Sequence, residues 1–139
     1  MCLQVFCDGN ADLYHILEYP ARKLGSAFQK VNFLRDLNYD TQNLGRIYFP
    51  EINNDKFDDN TKKLIEKSIE KDFEEAHKGI KDLPGRSKLA VSIAYSYYFN
   101  LFKKIKRLSS EVILSKRIRI SNFRKLLIII QQYLKYLMQ

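Results

Sequence analysis

The sequence predicts an all-α protein. Three stretches, at about residues 24–41, 62–82 and 89–105, place apolar side chains at the three- and four-residue spacing of one helix face. Residues that start or stop helices bound the second stretch, with Asp58 and Asp59 before it and Pro84-Gly85 after it. A chain of 139 residues is long enough to bury one core, so residues 1–139 are interpreted as a single domain.

The first quarter of the chain is expected to hold three helical segments. Residues 1–7 are apolar from the start and predict the end of a core helix, followed by a turn at residues 8–10. Residues 11–18 predict a short helix. Pro20 suits the first turn of a separate helix, which is expected to run to about Thr41.

A loop is predicted at residues 42–56, which contain Gly45 and Pro50. The helix at 62–82 is expected to have a solvated outer face, on which Asp72 and its neighbours Glu74 and Glu75 are interpreted as solvated charges. The residues expected on its buried face are Leu64, Ile65, Ile69, Phe73 and Ala76.

Two helices are predicted in the last third. The helix at 89–105 carries three tyrosines near its middle, which are expected to be buried or half-buried. A last helix at about 121–137 is interpreted first as a closing core helix and second as a helix lying on a membrane surface. The residues that it is expected to bury are Leu126, Leu127, Ile130, Leu134 and Leu137.

A polar row on the helix before Thr41 is the candidate functional site. Gln29, Asn32, Asp36 and Asp40 lie within an arc of about 80° at 100° per residue. Carboxylates four residues apart stand about 5–6 Å from each other, which allows them to share divalent cations such as Mg²⁺. The simpler alternative is that Asp36 and Asp40 are solvated and pair with surface arginines.

The residues around this row resemble a known signature. The stretch LGSAFQKVNFLRDLNYDTQNLGRIYFP is similar to the second aspartate-rich motif of the squalene/phytoene synthase family, and its centre resembles bacterial phytoene synthases. The resemblance extends to the C-terminus but covers only the C-terminal half of the family's fold. The matching positions are Leu24, Gly25, Gln29, Asn32, Phe33, Arg35, Asp36, Asp40, Arg46, Tyr48 and Pro50.

This resemblance implies the C-terminal part of an isoprenoid (terpenoid) synthase helical bundle. It also implies a prenyltransferase that condenses two geranylgeranyl diphosphates head to head into phytoene, in carotenoid biosynthesis, with Mg²⁺. Squalene-type condensation of farnesyl diphosphate is the alternative reaction. Asp36 and Asp40 would be the catalytic metal ligands. The residues expected to bind the prenyl diphosphate are Gln29, Asn32, Arg35, Arg46, Tyr98 and Arg117.

Two further expectations concern completeness and partners. The family's first aspartate-rich motif is expected upstream of Met1, so the chain is predicted to be inactive or nearly so alone. Its open apolar face would meet a missing N-terminal half or a second copy. A non-catalytic helical interaction module derived from the family is the other interpretation.

The charge of the chain is uneven. Residues 86–139 contain 12 Lys or Arg and a single acid, Glu111, so they carry +11, whereas residues 1–85 carry −3, and the total is +8. Anionic partners are therefore expected, and charge alone does not choose among diphosphate, anionic lipid headgroups and nucleic acid. Nucleic acid is not expected, because no groove-reading motif is present. Two cysteines without metal-site spacing, and a start unlike a signal peptide, predict a cytoplasmic protein, with peripheral membrane contact as an option.

Overall fold

The computed structural model describes residues 2–37 and 57–138, and within these ranges it is all-α, with no strands. This confirms the predicted fold class. The helices are α1 (Cys2–Phe6), α2 (Ala11–Asp36), α3 (Asp59–Ile80), α4 (Gly85–Lys106), α5 (Ser110–Ser115) and α6 (Asn122–Leu137).

The junction between α1 and α2 is a tight turn, as expected. Asp8 and Gly9 adopt positive φ angles of 51° and 76°. Asn10 then caps α2, because its side-chain oxygen accepts a hydrogen bond from the backbone N–H of Leu13 at 3.0 Å.

The prediction of two helices divided at Pro20 was wrong. α2 is continuous from Ala11 to Asp36, and Pro20 lies inside it. A proline removes one helical hydrogen bond. Here its ring packs so closely on α3 that a Cβ on Gly79 would lie 2.5 Å from the Pro20 Cβ. The tertiary contact at Gly79 thus favours a continuous helix that the local pattern does not predict.

The main core lies where α2, α3 and α4 meet. α2 contributes Ala27, Val31 and Leu34, each fully buried. The two other helices fill the space with large side chains. Those from α3 are Ile65, Ile69 and Phe73, and those from α4 are Leu101, Phe102 and Ile105.

Two predictions on α3 were wrong, although Asp58 caps this helix as expected, accepting from the N–H of Thr61 at 2.7 Å. Leu64 is 68% exposed instead of buried. Asp72 is 3% exposed instead of solvated. It stays charged inside because α2 supplies its partners: Lys23 at 3.1 Å, Lys30 at 2.6 Å and the Ser26 hydroxyl at 2.7 Å.

The last helix was predicted at the correct place with the wrong face inward. In α6 only Ile128 is buried. The five residues that were expected in the core are instead 40–62% exposed. The side of α6 that is less exposed, and so faces the rest of the chain, carries Lys125, Ile128, Gln132 and Tyr136. The closing-core interpretation of this helix is therefore corrected.

None of the helices within residues 2–37 and 57–138 has the length and apolar content needed to cross a membrane.

Candidate functional site

The predicted polar row lies partly within the residues that the structure describes. Asn32 and Asp36 lie at the C-terminal end of α2, where both side chains meet residues from other parts of the chain. Gln29, one turn earlier, is exposed. Asp40 and Arg46 lie outside the described residues, so the predictions that fall on them stay predictions.

Asp36 is held by two arginines. Arg35 approaches it with Nη2 at 2.6 Å from Oδ2 and with Nε at 3.2 Å from both carboxylate oxygens. Arg117 Nε lies 2.7 Å from the other oxygen, Oδ1. The hydrogen bond to Asp36 raises the pKa of Arg35, although burial acts in the opposite direction. Two permanent cations therefore meet at one carboxylate, and any anion bound there would find both of them.

Arg117 reaches this position because of the segment that follows α5. The backbone is extended at Lys116, with φ −154° and ψ 148°, so successive side chains point to opposite sides. Ile118 and Ile120 are buried in the core, and Arg117 faces the other way. Lys104 also donates to the carbonyl of Arg119 at 2.6 Å, which ties the segment to α4.

Asn32 meets Tyr98 of α4. Its Nδ2 donates to the Tyr98 hydroxyl oxygen at 3.2 Å. Its Oδ1 is buried, yet it accepts no hydrogen bond from any residue that the structure describes. A buried acceptor without a donor costs about 1–3 kcal/mol, which marks this oxygen as one that a ligand, an ion or a water would satisfy.

Tyr98 also stacks on Phe28, with ring centroids 4.0 Å apart and planes at 18°. Phe28 in turn lines an apolar cavity of about 400 Å³ between α1, α2, α3 and α4. The cavity is lined by Leu3, Phe6, Leu17, Pro20, Ala21, Leu24, Gly25, Phe28, Ala76, Gly79, Ile80, Leu83 and Val91. An apolar cavity thus adjoins a polar site through the contact between Phe28 and Tyr98.

The oxygen atoms of this site fit a hard divalent cation in part. Asp36 supplies a carboxylate, and Asn32 Oδ1 is an unsatisfied oxygen on the same side of α2. Within the described ranges, however, no group of three or more His, Cys, Asp or Glu side chains could hold a metal. A metal here would need further oxygen ligands from Asp40, a bound anion or water.

The sequence matches the family model described as squalene/phytoene synthase over residues 1–124, which is most of the chain. The chain belongs to the squalene/phytoene synthase family. This confirms the resemblance seen in the sequence, and the helical fold agrees with that family's all-α isoprenoid synthase fold. The family is one of prenyltransferases in isoprenoid biosynthesis. The chain matches no curated protein and no solved structure.

Sequence reasoning missed the residues that fix the orientation of α2. Lys23, Ser26 and Lys30 lie on the side of α2 away from Asn32 and Asp36, and all three bind Asp72. A signal was present, since Asp72 is three residues after Ile69 and therefore on the buried face of α3. The apolar cavity was also missed, because it forms from four helices.

Proposed function

We propose that the chain binds a prenyl diphosphate and serves in the Mg²⁺-dependent head-to-head condensation of two geranylgeranyl diphosphates to phytoene, a step of carotenoid biosynthesis. The observation that carries the proposal is the apolar cavity that adjoins the polar cluster of Asn32, Asp36, Tyr98 and Arg117 through the Phe28–Tyr98 stack. A prenyl diphosphate has the same two parts, an apolar tail and an anionic head.

In this proposal the polar cluster binds the head group. Arg35 and Arg117 turn from Asp36 to the diphosphate oxygens, for which their guanidinium groups are well suited. Asp36 is then free to act as an oxygen ligand of Mg²⁺, together with Asp40. Gln29 and Asn32 orient the assembly, Tyr98 borders the first carbons of the tail, and Arg46 adds a further cation.

The reaction begins when the diphosphate leaves an allylic carbon, and the barrier depends on the negative charge that develops on the leaving oxygens. Bound Mg²⁺ would supply Lewis-acid stabilisation of that charge. The arginines of this chain stabilise the same charge by hydrogen bonds. The apolar walls of the cavity cover part of the tail, which lowers the exposure of an allylic cation to water.

We also propose that the 139-residue chain binds substrate better than it turns it over. Asp36 is the one carboxylate at the described site, whereas the family pattern pairs this motif with a first aspartate-rich motif. In this proposal a second half-site comes from another segment or chain. The whole reaction is then restored by supplying that half.

The test is calorimetric titration with a non-hydrolysable geranylgeranyl thiolodiphosphate, with Mg²⁺ and with EDTA. The titration compares the natural chain, Asp36→Asn and the control Asp12→Asn, which removes an exposed carboxylate at the far end of α2. We expect Mg²⁺-dependent binding that Asp36→Asn weakens at least tenfold and Asp12→Asn leaves unchanged. A farnesyl analogue that binds more tightly would favour the squalene-type reaction.

Two results would reject the proposal. Equal binding by the natural chain and Asp36→Asn would exclude the assignment of Asp36. A folded chain that binds neither analogue would favour the non-catalytic helical module.

A further inference from the structure

Helix α6 presents its apolar side to solvent. From Phe123 onward, every residue in an arc of about 160° around the helix axis is apolar. We call these residues the α6 apolar face, and all of them are 40–71% exposed. They are Phe123, Leu126, Leu127, Ile129, Ile130, Tyr133, Leu134 and Leu137.

The opposite side of α6 already contacts the chain, so the helix cannot bury its apolar face by a simple repacking against α4. Ile128 is 5% exposed, and Lys125 lies with its ammonium 5.9 Å from the ring centroid of Tyr97 on α4. Rotating α6 to bury the apolar face would expose Ile128 and break this cation–π contact. Eight exposed apolar residues on one helix exceed the scattered exposure of an ordinary surface, and such a face marks an interaction site.

The distribution of side chains around α6 indicates how it could meet a lipid bilayer. Its apolar face spans about 160°, and the opposite side carries Arg124, Lys125, Gln132 and Lys135. A helix with a wide apolar face and a polar opposite face lies in the plane of the interface.

The charge around α6 indicates which partner binds the α6 apolar face. Residues 86–139 carry +11, and Glu111 is their only acid. Exposed Lys116, Arg119, Arg124 and Lys135 belong to this basic third. A second copy would bring an equally basic surface to the same contact, which like charges oppose. Anionic headgroups are attracted to the same charges, each worth about a fivefold gain in affinity near a membrane surface.

We propose that α6 docks this protein on an anionic lipid bilayer, with the helix parallel to the surface and the α6 apolar face among the headgroups and upper acyl chains. Most of α6 lies beyond residue 124, where the family match ends. The proposal is therefore independent of the prenyl diphosphate site.

The test is co-sedimentation of the full chain with vesicles of phosphatidylcholine, with and without phosphatidylglycerol. The variant Leu126→Gln/Ile130→Gln removes two side chains from the α6 apolar face. The matched control is Ile16→Gln/Leu64→Gln, which replaces two equally apolar residues, 64% and 68% exposed, on α2 and α3. Circular dichroism and sedimentation velocity report folding and oligomeric state in each case.

We expect the natural chain to bind the anionic vesicles and to be released by salt. The α6 variant should bind about a hundredfold more weakly, since each buried aliphatic side chain contributes about tenfold, and the control should bind as the natural chain does. Equal vesicle binding by the α6 variant would overturn the proposal. A dimer that binds no vesicles, and that the α6 variant dissociates, would overturn it in favour of a second copy. A monomer that binds no vesicles would also overturn it.

Discussion

Arg117 Nε lies 2.7 Å from Oδ1 of Asp36, which joins the segment after α5 to the C-terminal end of α2. In the proposed function this arginine competes with a metal for Asp36 and assists a diphosphate. Arg117→Gln should therefore change the two affinities in opposite directions. Binding of the geranylgeranyl analogue with Mg²⁺ should weaken about 10–100-fold, as expected for a charge-assisted hydrogen bond. Binding of Mg²⁺ alone should strengthen.

The matched control for Arg117→Gln is Arg119→Gln, which removes the same charge from an exposed residue two positions later. Calorimetry with the metal alone, and with metal plus analogue, measures both affinities. Equal losses of analogue affinity in the two variants would show that net charge, and not the contact with Asp36, sets the binding.

The hydrogen bond between Asn32 and Tyr98 predicts a stability effect. Tyr98→Phe leaves both polar ends of the Asn32 side chain without a partner among the described residues, and should lower the free energy of unfolding by about 1–2 kcal/mol. In Tyr97→Phe the loss should stay below about 0.5 kcal/mol, because the Tyr97 hydroxyl bonds to no residue that the structure describes. Urea unfolding of both variants measures the difference, and equal effects would contradict the assigned role of the Tyr98 hydroxyl.

Asp72 predicts acid sensitivity. Burial raises the pKa of its carboxyl, but hydrogen bonds from Lys30, Ser26 and Lys23 outweigh burial and lower it below the ordinary 3.8. Its contribution to stability is therefore complete above about pH 4 and is lost as the pH falls through the folded-state pKa. Asp72→Asn should lower the free energy of unfolding by about 2–3 kcal/mol at pH 7. The free energy of unfolding of this variant should also depend less on pH in the acid range.

Unfolding by urea from pH 2 to 7 follows this effect. Glu74→Gln is the matched control, because Glu74 is exposed on the same helix. A profile of Asp72→Asn that runs parallel to that of the natural chain at all pH values would contradict the assignment.

The contact between Gly79 and Pro20 predicts opposite effects for two glycine substitutions. A Cβ on Gly79 would lie 2.5 Å from the Pro20 Cβ and 2.8 Å from its Cγ, so Gly79→Ala should destabilise the chain by about 1–3 kcal/mol. A Cβ on Gly25, also within a helix, would meet nothing within 4 Å. Gly25→Ala should stabilise by about 0.5–1 kcal/mol. Thermal unfolding compares them, and a stabilised Gly79→Ala would show that α2 and α3 can separate freely.

Local signals in the sequence predicted much of the fold. The cap at Asp58 and the break at Pro84 depend on a few neighbouring residues, and both were confirmed, although α3 begins at Asp59 and α4 at Gly85, earlier than the predicted residues 62 and 89. The site was predictable in part because Asn32 and Asp36 share a helix face. The structure brings Asn32 to Tyr98 and Asp36 to Arg117, and the roles of these residues in binding stay predictions.

The errors arose where tertiary contacts override local patterns. The local sequence at Pro20 predicts a helix start, but the packing of Pro20 on Gly79 keeps α2 continuous. The local sequence predicts that Asp72 is a solvated charge, but three side chains from α2 donate hydrogen bonds to its buried carboxylate. The periodicity of α6 gave its position and its apolar side, yet a pattern within one helix cannot specify whether that side meets the core or the surroundings.

The hydrogen bonds from α2 to Asp72 have a practical consequence for redesign. Lys23, Ser26 and Lys30 set how α2 is turned about its own axis, while Asn32 and Asp36 on its other side make the contacts of the site. The residues that anchor α2 and the residues that form the site thus lie on separate sides of one helix. New side chains can be introduced at the site to accept other head groups while the anchoring residues keep the helix seated as it is.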